Sequence, residues 1–236
     1  IYQFNNQNPI NEQVNGLYSI MFRRNFMKLY EQDFLQGFWY HRVNYGFTYR
    51  LHLGYAQRRE LFNTSDFSLY HKSEREYTPN RPENVEATAL DFQDHQIAKL
   101  SASVEWRPGL TYTIRDGRKS PNFSRSPLVT FSYHKAIPHL ISGENASDFD
   151  LLEMGMEHDW SFGVSGKLDV KLNAGAFITR RKVYFPDFKH FGGNRTVFSN
   201  FGPASNYRLM DYYKYSTSSS FVSGIAHYQF RKFLFT

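Results

Sequence analysis

Leu152–Ala176 reads L-E-M-G-M-E-H-D-W-S-F-G-V-S-G-K-L-D-V-K-L-N-A-G-A. Its even positions are largely apolar: Leu152, Met154, Met156, Phe162, Val164, Leu168, Val170, Leu172, Ala174 and Ala176. Its odd positions are largely polar or glycine: Glu153, Gly155, Glu157, Asp159, Lys167, Asp169, Lys171, Asn173 and Gly175. A period of two sends alternate side chains to opposite faces of a β-strand. The break at Ser161–Gly163 turns the stretch into a hairpin with one apolar and one polar face. A turn about Phe162 would set Glu157 opposite Lys167 and Glu153 opposite Lys171, two opposite-charge cross-strand pairs.

A soluble sandwich also has a solvated face, so the hairpin alone does not decide the fold; its repetition does. Ile97–Arg107 places Ala98, Leu100, Ala102, Val104 and Trp106 against Lys99, Ser101, Ser103, Glu105 and Arg107. Phe47–Tyr55, Val129–His134 and Val222–Phe230 alternate in the same way, with Ile225 as an exception. Phe34–Val43 reads as a strand of unassigned faces, and Ile1–Asn6 as a further strand. These segments have the roughly 9–13 residues that a tilted strand needs to cross a bilayer. Their polar faces are too charged for the interior of a small sandwich and suit a water-filled lumen. Trp106, Trp160, Tyr55 and Tyr228 stand where barrels carry aromatic girdles. The aromatic fraction of 18% agrees. The expected fold is all-β: an antiparallel transmembrane β-barrel, partial, with about eight strands visible and one amphipathic helix.

Composition sets bounds. No run reaches the ~18 apolar residues of a transmembrane helix. The mean hydropathy of -0.58 is compatible with barrel strands, whose apolar residues are hidden by alternation. The absence of cysteine fits an envelope compartment. The net charge of +6 is scattered, without a polybasic arm, so nucleic acid is not an expected partner. Lumenal cations or attraction to anionic outer-membrane lipid headgroups explain it better.

The connections alternate in length. Asn44–Gly46 and Ser161–Gly163 are tight, whereas Leu61–Gln96, Pro138–Ser147 and Thr179–Lys214 are long. Barrels put short turns on the periplasmic side and long loops outside. Gly109–Pro127 falls on the short side and is longer than that rule expects. Asn11–Glu31 departs from the β pattern. Val14, Leu17, Tyr18, Met21, Phe22, Phe26, Leu29 and Tyr30 recur at helical spacing behind a candidate N-cap, Asn11. That helix is expected to lie across the barrel rim or to plug the lumen.

No catalytic set emerges. His134, His139 and His158 lack metal-ligand spacing. There is no G-x-S-x-G elbow. The strand carboxylates are expected to be ion-paired in the lumen, with Glu153, Lys171, Glu157 and Lys167 as the partners. No enzyme activity, cofactor or metal is expected. Asn145–Ser147 matches a glycosylation acceptor, a motif common by chance. The unusual segment is Tyr184–Thr196, Y-F-P-D-F-K-H-F-G-G-N-R-T, followed by Tyr207–Ser216, Y-R-L-M-D-Y-Y-K-Y-S. It is expected to fold into the lumen through Asp187, Gly192, Gly193 and Arg195, with Arg195 against a lumenal carboxylate.

These motifs, with Gly16–Glu31 (G-L-Y-S-I-M-F-R-R-N-F-M-K-L-Y-E) and Arg58–Ser68 (R-R-E-L-F-N-T-S-D-F-S), resemble a family of Bacteroidota outer-membrane proteins of uncharacterised function. The resemblance implies a carboxypeptidase-regulatory-like β-sandwich upstream and a C-terminal barrel similar to the BamA/surface-antigen class. In that class a late loop carries an Arg-Gly-aromatic motif into the lumen. Here Gly192-Gly193-Asn194-Arg195 holds the comparable place, with Thr196 where glycine should follow. The chain is then expected to be an internal piece of a longer protein, residues 1–236 forming one barrel domain. The implied setting is the cell outer membrane, in envelope biogenesis or transport, with other outer-membrane proteins as partners. A porin or gated channel and a soluble barrel holding an apolar ligand are the alternatives.

Overall fold

A computed structural model of the 236-residue chain describes residues 1–5, 10–64, 67–70, 76–87, 92–138, 140, 145–196 and 206–231. Its elements are β1 (Tyr2–Gln3), α1 (Glu12–Phe22), β2 (Leu29–Asn44), β3 (Phe47–Glu60), β4 (His95–Trp106), β5 (Thr111–Arg115), β6 (Arg118–Asn122), β7 (Leu128–Ala136), β8 (Asp148–Ser161), β9 (Gly166–Lys182) and β10 (Ser220–Phe230). Eight strands form one antiparallel sheet in the order β1-β2-β3-β4-β7-β8-β9-β10, and β5 pairs with β6 alone. The chain is all-β with one helix. Among the described residues β1 and β10 do not pair, so the sheet is open.

The register assigns the faces. Leu53 stands opposite Leu100, Val104 opposite Phe131, Met154 opposite Ala174 and Leu172 opposite Gly224. This apolar face lies bare: Leu53 is 53% exposed, Met154 51% and Val222 86%. Pairing also resolves the faces of β2. Leu35 and Trp39 sit opposite Tyr55 and Leu51 on the apolar face, while Phe38 and Tyr40 sit opposite His52 and Arg50 on the polar one.

The polar face changes character at one end. Ala56, Ile97, Ala136, Phe149, Leu151, Phe177 and Phe221 form a buried cluster there, roofed by Val183 and Phe191. Burial of each large side chain contributes about 1.5–3 kcal/mol. Something must therefore cover that end of the polar face. The cover is built from the N-terminal segment and the three long connections, which all emerge at this end of the meander. Phe4, Ile10, Tyr30, Phe92, Phe185 and Tyr213 make its second core. Phe4 meets Phe92 edge-to-face at 5.5 Å and 88°, the arrangement ring quadrupoles favour.

Helix α1 starts where expected: the Asn11 side chain accepts from the Val14 N–H at 2.9 Å. It stops earlier than its periodicity predicts, at Arg23 in the left-handed conformation (φ 57°), and Leu29–Glu31 belong to β2. The apolar stripe is not the packed side either. Asn15 and Ser19 are buried while Leu17 and Phe22 are exposed. Asn15 Oδ1 accepts from the N–H groups of Phe26 and Met27 at 2.8 and 2.9 Å, so the returning backbone dictates which side of the helix faces in. The helix lies among the long connections: Ile20 O accepts from Leu69 N at 2.8 Å and Arg23 O from Thr78 N at 3.1 Å. None of the helices among the described residues is long and apolar enough to cross a membrane.

The overlong Gly109–Pro127 connection is the β5–β6 hairpin, turning on Asp116 (φ 49°) and Gly117 (φ 73°). Asp-Gly with both φ positive matches the twist of a two-residue hairpin. The β8–β9 turn spans Phe162–Ser165, closed by Phe162 N to Gly166 O at 2.9 Å and Ser165 N to Phe162 O at 3.2 Å. It is thus longer than a turn about Phe162, and every expected pair across it shifts by four residues.

Candidate functional site

The connection after β9 lies down on the covered end of the polar face. Phe185–Asp187 form a single 3-10 turn that begins at Tyr184 and carries Pro186 in its first positions. The turn lowers Asp187 onto the sheet, where its Oδ1 lies 2.9 Å from Arg58 Nη1 of β3. The two side chains are 1% and 10% exposed. Ser147 Oγ donates to Asp187 Oδ2 at 3.1 Å. Arg58 Nε donates to Gln32 Oε1 of β2 at 2.9 Å. His95 lies 3.4 Å from Arg58 and stacks on Tyr184 at 3.8 Å and 11°. Burial pushes the Asp187 carboxyl up, but Arg58 and then Lys99 outweigh it and hold the group below the ordinary carboxylate range.

A second contact follows two residues on. Lys189 bonds Glu153 of β8, and Glu153 also lies 3.3 Å from His134 Nε2 of β7. His134 Nδ1 is 2.8 Å from Ser101 Oγ of β4. The Lys189 backbone exchanges both hydrogen bonds with Thr217, at 2.8 and 3.0 Å, tying the outgoing and returning limbs of the loop together. His190 is buried with its Nδ1 2.7 Å from Ser216 Oγ. Desolvation lowers its pKa to about 4. The returning limb is held from the second long connection: Asn84 Nδ2 donates to the carbonyls of Tyr213 and Ser216, both at 2.8 Å. The Glu86 carboxylate accepts from Ser218 N at 3.0 Å and from the hydroxyls of Ser218 and Thr217 at 2.5 Å each.

The residues named for the lumenal loop divide. Asp187, to which the sequence assigns no pinning role, reaches Arg58 on the sheet. Gly192 and Gly193 are buried on the outgoing limb where it meets the returning one, and a Cβ on Gly193 would stand 2.7 Å from Met210 O and 2.8 Å from Asp211 O. Arg195 does not reach a strand carboxylate. Its Nε lies 3.1 Å from Asp211 of the same loop, and its side chain is 47% exposed. The loop has already been drawn onto the sheet through Asp187 and Lys189, which leaves Arg195 on the solvent side. His139 and residues 197–205 of the long loop lie outside the described residues.

The hairpin ion pairs are re-partnered by the four-residue turn. Glu157 stands opposite Lys171, with Oε1 to Nζ at 2.6 Å, instead of opposite Lys167. Lys167 lies between Asp159 (3.4 Å) and Asp169 (2.8 Å). Glu153 stands opposite Gly175, not Lys171. With no cross-strand cation, it is available to the loop. Arg58, Lys189 and His134 are the participants that alternation alone does not reveal. Arg58 carried one signal, an Arg-Arg pair at a strand end, which must point one guanidinium to each face. Arg59 takes the other face, near Glu31 at 3.3 Å and bonded to Asp33.

The site therefore holds a loop in place with two charged contacts, one deeply buried. Among the described residues no group of three His, Cys, Asp or Glu side chains could hold a metal ion. One family model matches the chain, over residues 1–236. Its description is the C-terminal domain of a family of unknown function, DUF5686. No curated protein and no solved structure matches the chain.

Proposed function

This chain belongs to the DUF5686 C-terminal domain family, and from that premise we propose that it is a non-enzymatic β-barrel segment of the outer membrane, acting in envelope biogenesis or transport within a larger complex. The observation that carries the reading is the bare apolar face, which runs across seven adjacent long strands. Contiguous exposed apolar area on this scale marks contact with lipid or another apolar surface. The strands of the main sheet from β2 onward span 9–17 residues, against the ~9–11 of a transmembrane strand. The apolar band has a polar fringe at its loop end. Arg59 meets Glu31 there, and Lys135 Nζ lies 2.9 Å from Asp150. The opposite face carries ion pairs suited to water, such as Glu157 with Lys171 and Arg50 with Glu105.

A loop lodged against the charged face argues against a freely open pore and favours a partner-dependent role. The test uses the full-length parent protein. Its outer-membrane fraction is run on a denaturing gel with and without boiling. A heat-dependent mobility shift, with extraction only by detergent, is the expected result. A protein that stays soluble in plain buffer with β-type circular dichroism would turn the sheet inside out and leave an apolar-ligand carrier.

A further inference from the structure

Beside the pinned loop lies a cleft of about 370 Å³, walled in part by the Arg195–Asp211 pair. Its walls come from the segment after α1, the 78–83 connection and the returning limb of the long loop. Ligand pockets span roughly 300–1,000 Å³, so the cleft suits a small ligand. Its charge is one-sided: Arg24, Lys28, Arg81, Arg195 and Lys214 line it against Glu83 and Asp211.

The cations are not all spent. Lys28 Nζ donates to the carbonyls of Asn25 and Pro79 at 2.6 and 2.5 Å and is buried beneath the cleft. Arg195 and Lys214 share one carboxylate, Asp211, at 3.1 and 3.6 Å. Arg81 reaches Glu60 only at 3.7 Å and is 57% exposed. Arg24 is exposed and pairs with no described carboxylate. Arg24 and Arg81 line the cleft from two separate chain segments, and two guanidinium groups suit a ligand with several acceptor oxygens, which a phosphate offers and a single carboxylate does not. Phe26 and Tyr212, tilted at 5.8 Å, add an aromatic wall. That wall would take the apolar side of whatever carries the phosphate.

We propose that this cleft binds a phosphate monoester borne on a sugar or a lipid headgroup, with Arg24 and Arg81 as the phosphate-gripping residues and Phe26 and Tyr212 as the wall for its carrier. The cleft lies outside the strands, so the proposal does not depend on how the sheet meets a membrane.

The experiment is calorimetric titration of the full-length protein in detergent. The probes are glucose 6-phosphate, inorganic phosphate and dihexanoylphosphatidic acid below its micelle concentration, with glucose as the uncharged control. The expected result is saturable binding of a phosphate monoester and none of glucose. Binding should be about tenfold or more weaker in Arg24→Gln/Arg81→Gln, as losing charge-assisted hydrogen bonds from two side chains implies. Arg115→Gln/Arg118→Gln, on the β5–β6 hairpin, removes the same net charge elsewhere and should bind like the parent. A preference for glucose 6-phosphate would identify a free sugar phosphate as the source. A preference for the phosphatidic acid would identify a lipid. The first variant changes loop residues and the control the turn-proximal ends of β5 and β6, and an unchanged melting temperature confirms that both fold. The proposal is overturned if no phosphate probe saturates, if Arg24→Gln/Arg81→Gln binds like the parent, or if the hairpin control weakens binding equally.

Discussion

Arg58 on β3 and Asp187 in the loop after β9 meet at 2.9 Å, with the carboxylate side chain 1% exposed. The pair ties an early strand to a late loop across the covered end of the polar face. Removing one partner of a buried pair strands the other's charge, which costs about 3–5 kcal/mol. Asp187→Asn should therefore lower the melting temperature and open the 183–196 segment to protease. Replacing both partners, as Arg58→Met/Asp187→Leu, removes the stranded charge and should recover most of that loss. A single variant as stable and as protease-resistant as the parent would show that the loop is held by other contacts.

Arg195→Ala provides the contrast. Its partner Asp211 lies in the same loop and the pair is solvent-exposed, so its contribution falls in the 0–1 kcal/mol range of surface pairs. Loop protection should be nearly unchanged, measured by the same protease assay. Loss of protection as large as that of Asp187→Asn would return Arg195 to the pinning role.

The difference between these two residues marks how far the sequence could be read. Alternation depends only on the side-chain period, so the main strands and, except for β2, their faces were legible from Leu152–Ala176 outward, and the helix start was legible from Asn11. Arg195 looked like the pin and Asp187 only like a member of the loop, because a loop sequence does not say which of its charges reaches the sheet. The β8–β9 register hung on whether the turn closed about Phe162 or over Phe162–Ser165. Ile97, Leu151 and Phe177 break the polar set at the strand ends. Only with the loop in place is it clear that they mark the end of the polar face that becomes a core. The β5–β6 hairpin was signalled by Asp116-Gly117, inside a stretch read only as an overlong turn.

The buried His190 makes loop docking sensitive to acid. An exposed histidine takes a proton near its ordinary value of 6.5, whereas the docked one resists down to about 4. Between those values the undocked chain binds more protons, so stability is full above about pH 6.5 and falls as pH drops toward 4. The loss at its fullest is about 3 kcal/mol. Thermal unfolding followed from pH 7.5 to 4.5 should show this decline, and His190→Asn should make it shallower. An equal decline in the variant would assign the acid response to other groups.

Gly193 sits where the two limbs of the loop cross closely. A Cβ there would stand 2.7 Å from Met210 O and 2.8 Å from Asp211 O. Both neighbours are backbone, which cannot swing away as a side-chain tip can. Gly193→Val should pry the limbs apart, losing the Asn194 N to Met210 O bond at 3.0 Å, with a cost of about 1–3 kcal/mol for the overpacking. Hydrogen exchange at residues 189–196 should accelerate while the β8–β9 hairpin stays protected. Unaltered exchange in the loop would mean that the limbs have room to spare.

Val170 and Lys171 are neighbours on β9 that point to opposite faces, one into the bare apolar band and the other into the ion pair with Glu157 at 2.6 Å. If the apolar face meets lipid, single-cysteine probes at the two positions should respond oppositely in the full-length protein reconstituted in bilayers. A fluorophore on Val170→Cys should be quenched by a lipid-borne quencher and protected from iodide. One on Lys171→Cys should show the reverse. The pairing of Val170 with Ala226 and His158 on its two sides keeps the backbone fixed, so the contrast reads orientation and not local unfolding. Because the two sites are a single residue apart, a difference in depth cannot produce it. Protection of the Val170 probe from both quenchers would place the apolar face inside the protein, and the barrel would then enclose an apolar cavity instead of a polar lumen.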